Sequence, residues 1–229
     1  MRLLSEYELD LVAGGNTYSD SQNITVVVPV GGGGVGGFDP GSGGGSGGSG
    51  DNGDGSGGGA ATPHFHIVDP KNCPVDASAA QKALDELYHG SPTAKAAIDA
   101  AAARGVSIDL IRAGNGPGTG GDNYSGDSGQ NDIFWDPFAM LSGRNANGSL
   151  YLESPVMLLA HELIHAAYPE LRGVASEAQV MAMANTIAAE MNASGAYGFD
   201  TSRDTHAGGT YSNTSSVNST LITNRPDCP

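Results

Sequence analysis

A mixed α+β fold is expected for the part of this 229-residue chain that follows Ala60, and three observations point to it. First, many of the 36 glycines fall between Gly31 and Gly59, so the residues able to build a core lie behind them. Second, short strand-like runs occur at His64–Val68 (HFHIV), Val106–Ile111 (VSIDLI) and Asp132–Trp135 (DIFW). Third, four longer segments between and after those runs carry helical spacing or helix-end signals.

The bulk charge narrows the possible partners. A formal net charge of -15 and a pI near 4.4 oppose binding to a phosphate backbone, which needs clustered Lys and Arg. No nucleic acid is expected as a partner, and acidity at this level favours solubility. No apolar run approaches the ~20 residues of a membrane span. Cys73 and Cys228 stand near the two ends of the expected domain. Either they form a disulfide that closes nearly the whole domain, which requires an oxidising compartment, or they are two unrelated thiols.

From the first residue, MRLLSEYELDLVAGG lacks the continuous apolar centre and the small-x-small cleavage site of a Sec-type signal. Leu4, Glu8, Leu11 and Val12 sit at helical spacing, and Gly14-Gly15 follows as a stop. With Leu4-Ser5, Glu8-Leu9, Val12 and Gly14-Gly15, the segment resembles the double-glycine leaders of bacteriocin and microcin precursors. That resemblance implies recognition by the cysteine-peptidase domain of an ABC exporter, cleavage after Gly15, and a mature, secreted chain beginning at Asn16. Ile24–Val30 (ITVVVPV) has strand character, with Pro29 confining it to an edge. Gly31–Gly59 is Gly/Ser/Asp low complexity and cannot repay its ordering entropy. Residues 16–60 therefore read as a flexible tether, and 61–229 as the folded domain.

Within the domain, the histidines of HFHIV read as alternating with core residues rather than as ligands. Ala77–Tyr88 has helical spacing at Ala80, Leu84 and Leu87. The next helix has Ser91 as N-cap, Pro92 at its first position and Gly105 just past its end. A glycine-rich loop, Gly114–Gly129, precedes DIFW, and Asp136-Pro137 opens a turn-rich segment up to Glu153. Ser154 and Pro155 begin a third helix, which Pro169 prevents from continuing. After Gly173, SEAQVMAMANTIAAEM reads as a fourth, capped by Ser176 and ending near Gly195.

The third helix carries His161-Glu162-Leu163-Ile164-His165. Residues four apart share a helix face, so both imidazoles can reach one ion, with Zn2+ the expected metal. Glu162 is rotated about 100° from His161, which suits it to act on water beside the metal rather than to join as a ligand. Two histidines and a glutamate buried in an otherwise apolar helix would go uncompensated without such a role. A third protein ligand is needed. Tyr168 and Leu171 stand where the metzincin extension requires Gly and His, so that class is excluded. The gluzincin pattern takes a Glu from a following helix. Glu177, near the start of the fourth helix, is the first choice, Glu190 the second, and Glu170 lies in the connecting loop.

Beyond HELIHA, residues from about 78 to 192 resemble the effector-type zinc metallopeptidases that bacteria inject through type III secretion. The shared pattern includes SPTAK (Ser91–Lys95), DIFWDP (Asp132–Pro137), LLAHELIHA (Leu158–Ala166), Gly173 and SEAQVMAMAN. The resemblance implies a minimal zincin-like α+β domain that acts as a zinc-dependent endopeptidase on proteins or peptides. The family's acidic ligand aligns with Glu177 and a family Asn with Asn185. Family members carry an Arg and then a Tyr after this helix, the Tyr as a candidate oxyanion donor. Here Arg203 is followed by Asp204, Thr205 and His206, which leaves His206, Tyr197 and Tyr211 as candidates for that role. DIFW is a candidate strand for pairing with extended substrate, with Trp135 as a core residue the other possibility. Leader and protease together suggest an exported toxin, with an immunity protein as partner if it acts on kin. The alternatives are a non-enzymatic exported bacteriocin and a module that binds zinc without cleaving.

Overall fold

The computed structural model of the chain describes residues 62–112, 123–124, 131–172, 174–195, 197–205 and 209–228. The expected leader, the strand at 24–30, the glycine tether, most of the loop 114–129 and His206 lie outside the described residues. In chain order the elements are β1 (His66–Val68), α1 (Pro74–Gly90), α2 (Pro92–Ala103), β2 (Ser107–Leu110), β3 (Asn123–Tyr124) and β4 (Asp132–Trp135). There follow β5 (Ala139–Arg144), β6 (Leu150–Glu153), α3 (Pro155–Ala167), α4 (Glu177–Ser194) and β7 (Thr210–Asn213). Two 3-10 turns, Pro169–Leu171 and Val174–Ser176, join α3 to α4. The fold is mixed α+β, and none of the described helices is long and apolar enough to cross a membrane.

Four strands form one sheet in the order β1-β2-β4-β3, parallel except for β3. Strand alternation turns Ile108, Leu110, Ile133 and Trp135 to one buried face. DIFW is flanked by β2 on one side and β3 on the other, so the expectation that it pairs with extended substrate does not hold. Its Trp135 is a core residue whose indole N–H donates to the Pro155 carbonyl at 2.8 Å, tying the sheet to the start of α3.

The segment read as turn-rich instead contains the hairpin β5-β6, and β7 completes a second sheet in the order β6-β5-β7. The turn residues Asn145–Ser149 mark only the hairpin's loop, where the Gly148 N–H donates to the Asn145 carbonyl at 2.8 Å with φ +84° at Gly148. The flanks AMLSGR and LYLE carry little β-branching, so the pattern alone does not reveal them.

The helix ends follow local chemistry in some places and tertiary contacts in others. Ser91 caps α2 through a 2.9 Å bond accepted from the Ala94 N–H, and Gly105 adopts φ +68° past its end. Ser154 does not cap α3. The first free N–H there, that of Val156, donates instead to the carbonyl of Val217 at 2.8 Å. Nor does Ser176 cap α4, because its hydroxyl donates to the Arg172 and Glu170 carbonyls. Every residue of α3 is buried, since the helix packs against α2, α4 and α1 as well as β4 and β5. A helix enclosed on all sides must be apolar all round. Its polar residues are therefore the conspicuous ones.

Cys73 and Cys228 form a disulfide across 155 residues, with Cα atoms 5.5 Å apart. Arg225 reinforces it, pairing with Asp76 at 2.8 Å and with Asp136 at 2.5 Å. Replacing both cysteines with Ser is expected to cost about 2–5 kcal/mol of stability, because the bridge removes freedom from the unfolded chain. Urea unfolding at neutral pH measures this, and an unchanged midpoint would show that the bridge contributes nothing.

Candidate metal centre

His161 and His165 lie on consecutive turns of α3 and are 2 % and 8 % exposed, with Glu162 between them at 6 %. Pro169 stops the helix, and the two 3-10 turns redirect the chain so that Glu177 opens α4 beside the imidazoles. The Nε2 atoms of the two histidines stand 3.2 Å apart. Glu177 Oε2 is 3.4 Å from His161 Nε2, and Glu177 Oε1 is 3.3 Å from His165 Nε2. The structure thus brings together the three expected ligands.

These separations test whether a metal fits. Tetrahedral zinc with bonds of about 2.0–2.1 Å sets its donors about 3.3 Å apart. The two Nε2 atoms are spaced close to that value, and each also stands close to that value from one oxygen of the Glu177 carboxylate, Oε2 for His161 and Oε1 for His165. The tautomer is also right. His165 Nδ1 lies 2.7 Å from the Leu171 carbonyl, which can only accept, so Nδ1 carries a hydrogen and, in the neutral ring, Nε2 is the nitrogen with a lone pair to offer. Burial acts to lower the His165 pKa, but the hydrogen bond to Glu177, the charges of Glu162 and Glu177 and the Leu171 carbonyl outweigh it and leave it raised. A cation is wanted at this point, whether proton or metal.

Glu162 is pushed up to about 7 by burial, with Glu177 and Glu153 adding to the rise and His165 and Arg203 opposing it. A carboxyl poised near neutrality can both take and return a proton.

The structure adds an ion pair in which Arg203, matched to the family Arg by the resemblance, meets a glutamate the sequence did not single out. Glu153, the last residue of β6, forms a buried ion pair with Arg203. Burial raises the Glu153 pKa, and Arg203 works against that rise. Arg203 also lies over the Tyr151 ring, 5.3 Å from its centroid. Tyr151 is register partner to Gly143, where a Cβ would come within 2.3 Å of the phenol oxygen, so the glycine makes room for the ring. Asn185 and Asn192, seven apart on one face of α4, hold the segment that carries Arg203. Asn185 donates to the Arg203 carbonyl at 2.8 Å, and Asn192 both donates to and accepts from the Phe199 backbone at 2.9 Å. The available signal was a Glu one residue ahead of a helix N-cap, which is too common to be informative.

Removing one member of a buried pair strands the other charge. Arg203→Ala is therefore expected to destabilise the fold by about 3–5 kcal/mol. The double variant Glu153→Gln/Arg203→Met should lose less. Urea unfolding of the two variants decides between this account and a merely local loss of packing.

The remaining expected residues fall elsewhere. Glu190 caps α2, accepting from the Thr93 N–H at 3.0 Å, the Thr93 hydroxyl at 2.9 Å and the Ser91 hydroxyl, so it is not a ligand. Glu170 is exposed in the first 3-10 turn. Tyr197 follows the C-terminus of α4, whereas Glu177 begins it. Seventeen residue steps at 1.5 Å each put the two helix ends about 26 Å apart. There Tyr197 stacks on Phe199 at 5.0 Å and lines a cavity with Asp85, Glu86 and His89. It is not an oxyanion donor for this centre. Tyr211 lies on β7 opposite Leu141, part-buried against the core.

Comparison with known proteins returns no matching family model, no matching curated sequence and no matching solved structure.

Proposed function

We propose that this chain is a zinc-dependent endopeptidase with a minimal zincin-like domain, in which His161, His165 and Glu177 hold the metal. The observation that carries this reading is the convergence of the two imidazole Nε2 atoms, 3.2 Å apart, on the Glu177 carboxylate, whose Oε2 is 3.4 Å from His161 and whose Oε1 is 3.3 Å from His165. When bound, a zinc ion supplies a Lewis acid that acidifies water and polarises a scissile carbonyl. Glu162 is not one of the three donors. Its carboxylate takes a proton from the attacking water and later returns it to the leaving amine. Its burial serves that exchange by raising its affinity for the proton to be carried. Arg203 and Glu153 place a charge pair within electrostatic reach of Glu162. Tyr211 remains the described candidate for an oxyanion donor, with His206 beyond the described residues.

The double-glycine pattern at Gly14-Gly15 extends the proposal to a secreted toxin or effector, exported by an ABC transporter that removes the leader. If the toxin acts on kin, an immunity protein would accompany it in the producing cell. Cleavage of a peptide library by the chain starting at Asn16, with and without chelator, tests the activity. Chelator-sensitive cleavage is the expected result. Zinc binding with no cleavage would instead favour a binding module.

A further inference from the structure

We infer that reduction of the Cys73–Cys228 disulfide opens a second metal site, formed by the two thiolates and the carboxylate of Asp76. It stands apart from the histidine centre and does not depend on it.

The donors are already gathered. One oxygen of Asp76 and the sulfurs of Cys73 and Cys228 lie within 4.8 Å of one another. Asp76 is 2 % exposed, and a carboxylate at that depth requires partners for both oxygens. Arg225 supplies one at 2.8 Å from Oδ2, while Oδ1 is buried without a hydrogen bond. A buried carboxylate oxygen without a hydrogen bond gains from a cation beside it.

Two features of the surroundings favour thiolates, against the carboxylates of Asp69 and Asp76, which oppose them. Cys73 is the N-cap of α1, whose N-terminus stabilises negative charge. The Arg112 guanidinium donates to Cys228 Sγ at 2.7 Å. Two thiolates and a carboxylate carry three negative charges. A dication, flanked by Arg112 and Arg225, offsets them. Zinc fits this donor set because thiolates are its preferred ligands among abundant dications. Zinc–sulfur bonds of about 2.3 Å in tetrahedral geometry separate two sulfurs by about 3.8 Å. A disulfide holds them at about 2.05 Å, so they must part by about 1.7 Å. Cys228 lies in a stretch without regular secondary structure, 222–228, which can yield more readily than the end of α1.

The chemistry balances. Two electrons from the reductant and two protons break the S–S bond to two thiols; a dithiol closes to its own disulfide, and a phosphine takes the oxygen of water to become its oxide. Zinc then displaces a proton from each thiol, and both protons leave to solvent. The C-terminal strap is thereby fastened in two exclusive ways: by a covalent bond under oxidising conditions and by a metal under reducing ones.

The test compares oxidised full chain with chain reduced by a water-soluble phosphine, each titrated with Zn2+ and, separately, with Co2+. Reduced chain should bind one equivalent of zinc more than oxidised chain. With cobalt it should develop a thiolate-to-metal charge-transfer absorption that oxidised chain lacks. Asp76→Asn should weaken the added equivalent at least about tenfold, as expected for loss of a ligand. His165→Ala should leave the increment unchanged, which separates this site from the histidine centre. No increment on reduction, no thiolate band, or wild-type affinity in Asp76→Asn overturns the inference. Should Asp76→Asn fail to fold, Cys228→Ser replaces it: loss of the band supports the site, and its persistence rejects it.

Discussion

Replacing Glu162 with Gln is expected to slow peptide hydrolysis by between about a hundredfold and about ten-thousandfold while leaving zinc bound. The amide has the size and shape of the carboxyl, so packing around a residue that is 6 % exposed is preserved. It cannot accept a proton from water or return one to an amine. The groups that converge within 3.2–3.4 Å are the two imidazoles and the Glu177 carboxylate, not Glu162, so metal content should match wild type. Folding should not suffer, because the substitution removes a carboxyl whose ionisation burial opposes. Turnover of a fluorogenic peptide and metal analysis on the same sample provide the check. Activity within about threefold of wild type would remove Glu162 from the proton transfer. A non-enzymatic bacteriocin would keep its killing activity in this variant.

His165→Ala should abolish both stoichiometric zinc and hydrolysis. The substitution deletes the Nε2 donor, leaves His161 and Glu177 as an incomplete pair, and removes the partner of the Leu171 carbonyl. Two ligands cannot define the closed side of a tetrahedral centre. Metal that binds only the folded chain stabilises it by about 4.1 kcal/mol at a thousandfold excess over its dissociation constant. Wild type should therefore show a zinc-dependent rise in unfolding temperature that chelator reverses, and the variant should show none. An undiminished zinc shift in His165→Ala would mean that the stabilising metal sits elsewhere. The cysteine site proposed above does not confuse this outcome, since it is closed while the disulfide is intact.

Parts of this architecture were legible in advance because they depend on neighbours along the chain. Ser91-Pro92 and Gly105 bracket α2 as expected, for the capping bond that the Ser91 hydroxyl accepts comes from a backbone N–H three residues away. The strand readings at VSIDLI and DIFW correspond to β2 and β4, whose alternation follows from the two-residue repeat of a strand. The hairpin β5-β6 and strand β7 were missed, since their stability comes from pairing with one another rather than from residue preference. The cap assigned to Ser154 failed for a related reason, whereas Ser176 is taken up by the carbonyls of Arg172 and Glu170 just before it. Val217, 61 positions beyond Val156, supplies the acceptor at the start of α3.

The candidate centre divides along the same line. That His161 and His165 share a face, with Glu162 turned aside, was settled by the sequence alone, because 3.6 residues per turn leave no other outcome once the helix forms. Which glutamate joins them, that Tyr197 does not, that Arg203 finds Glu153, and that Cys73 is bonded to Cys228 were decided by tertiary structure. Each of these turns on how separate elements pack, and spacing along one element carries no information about the direction of the next.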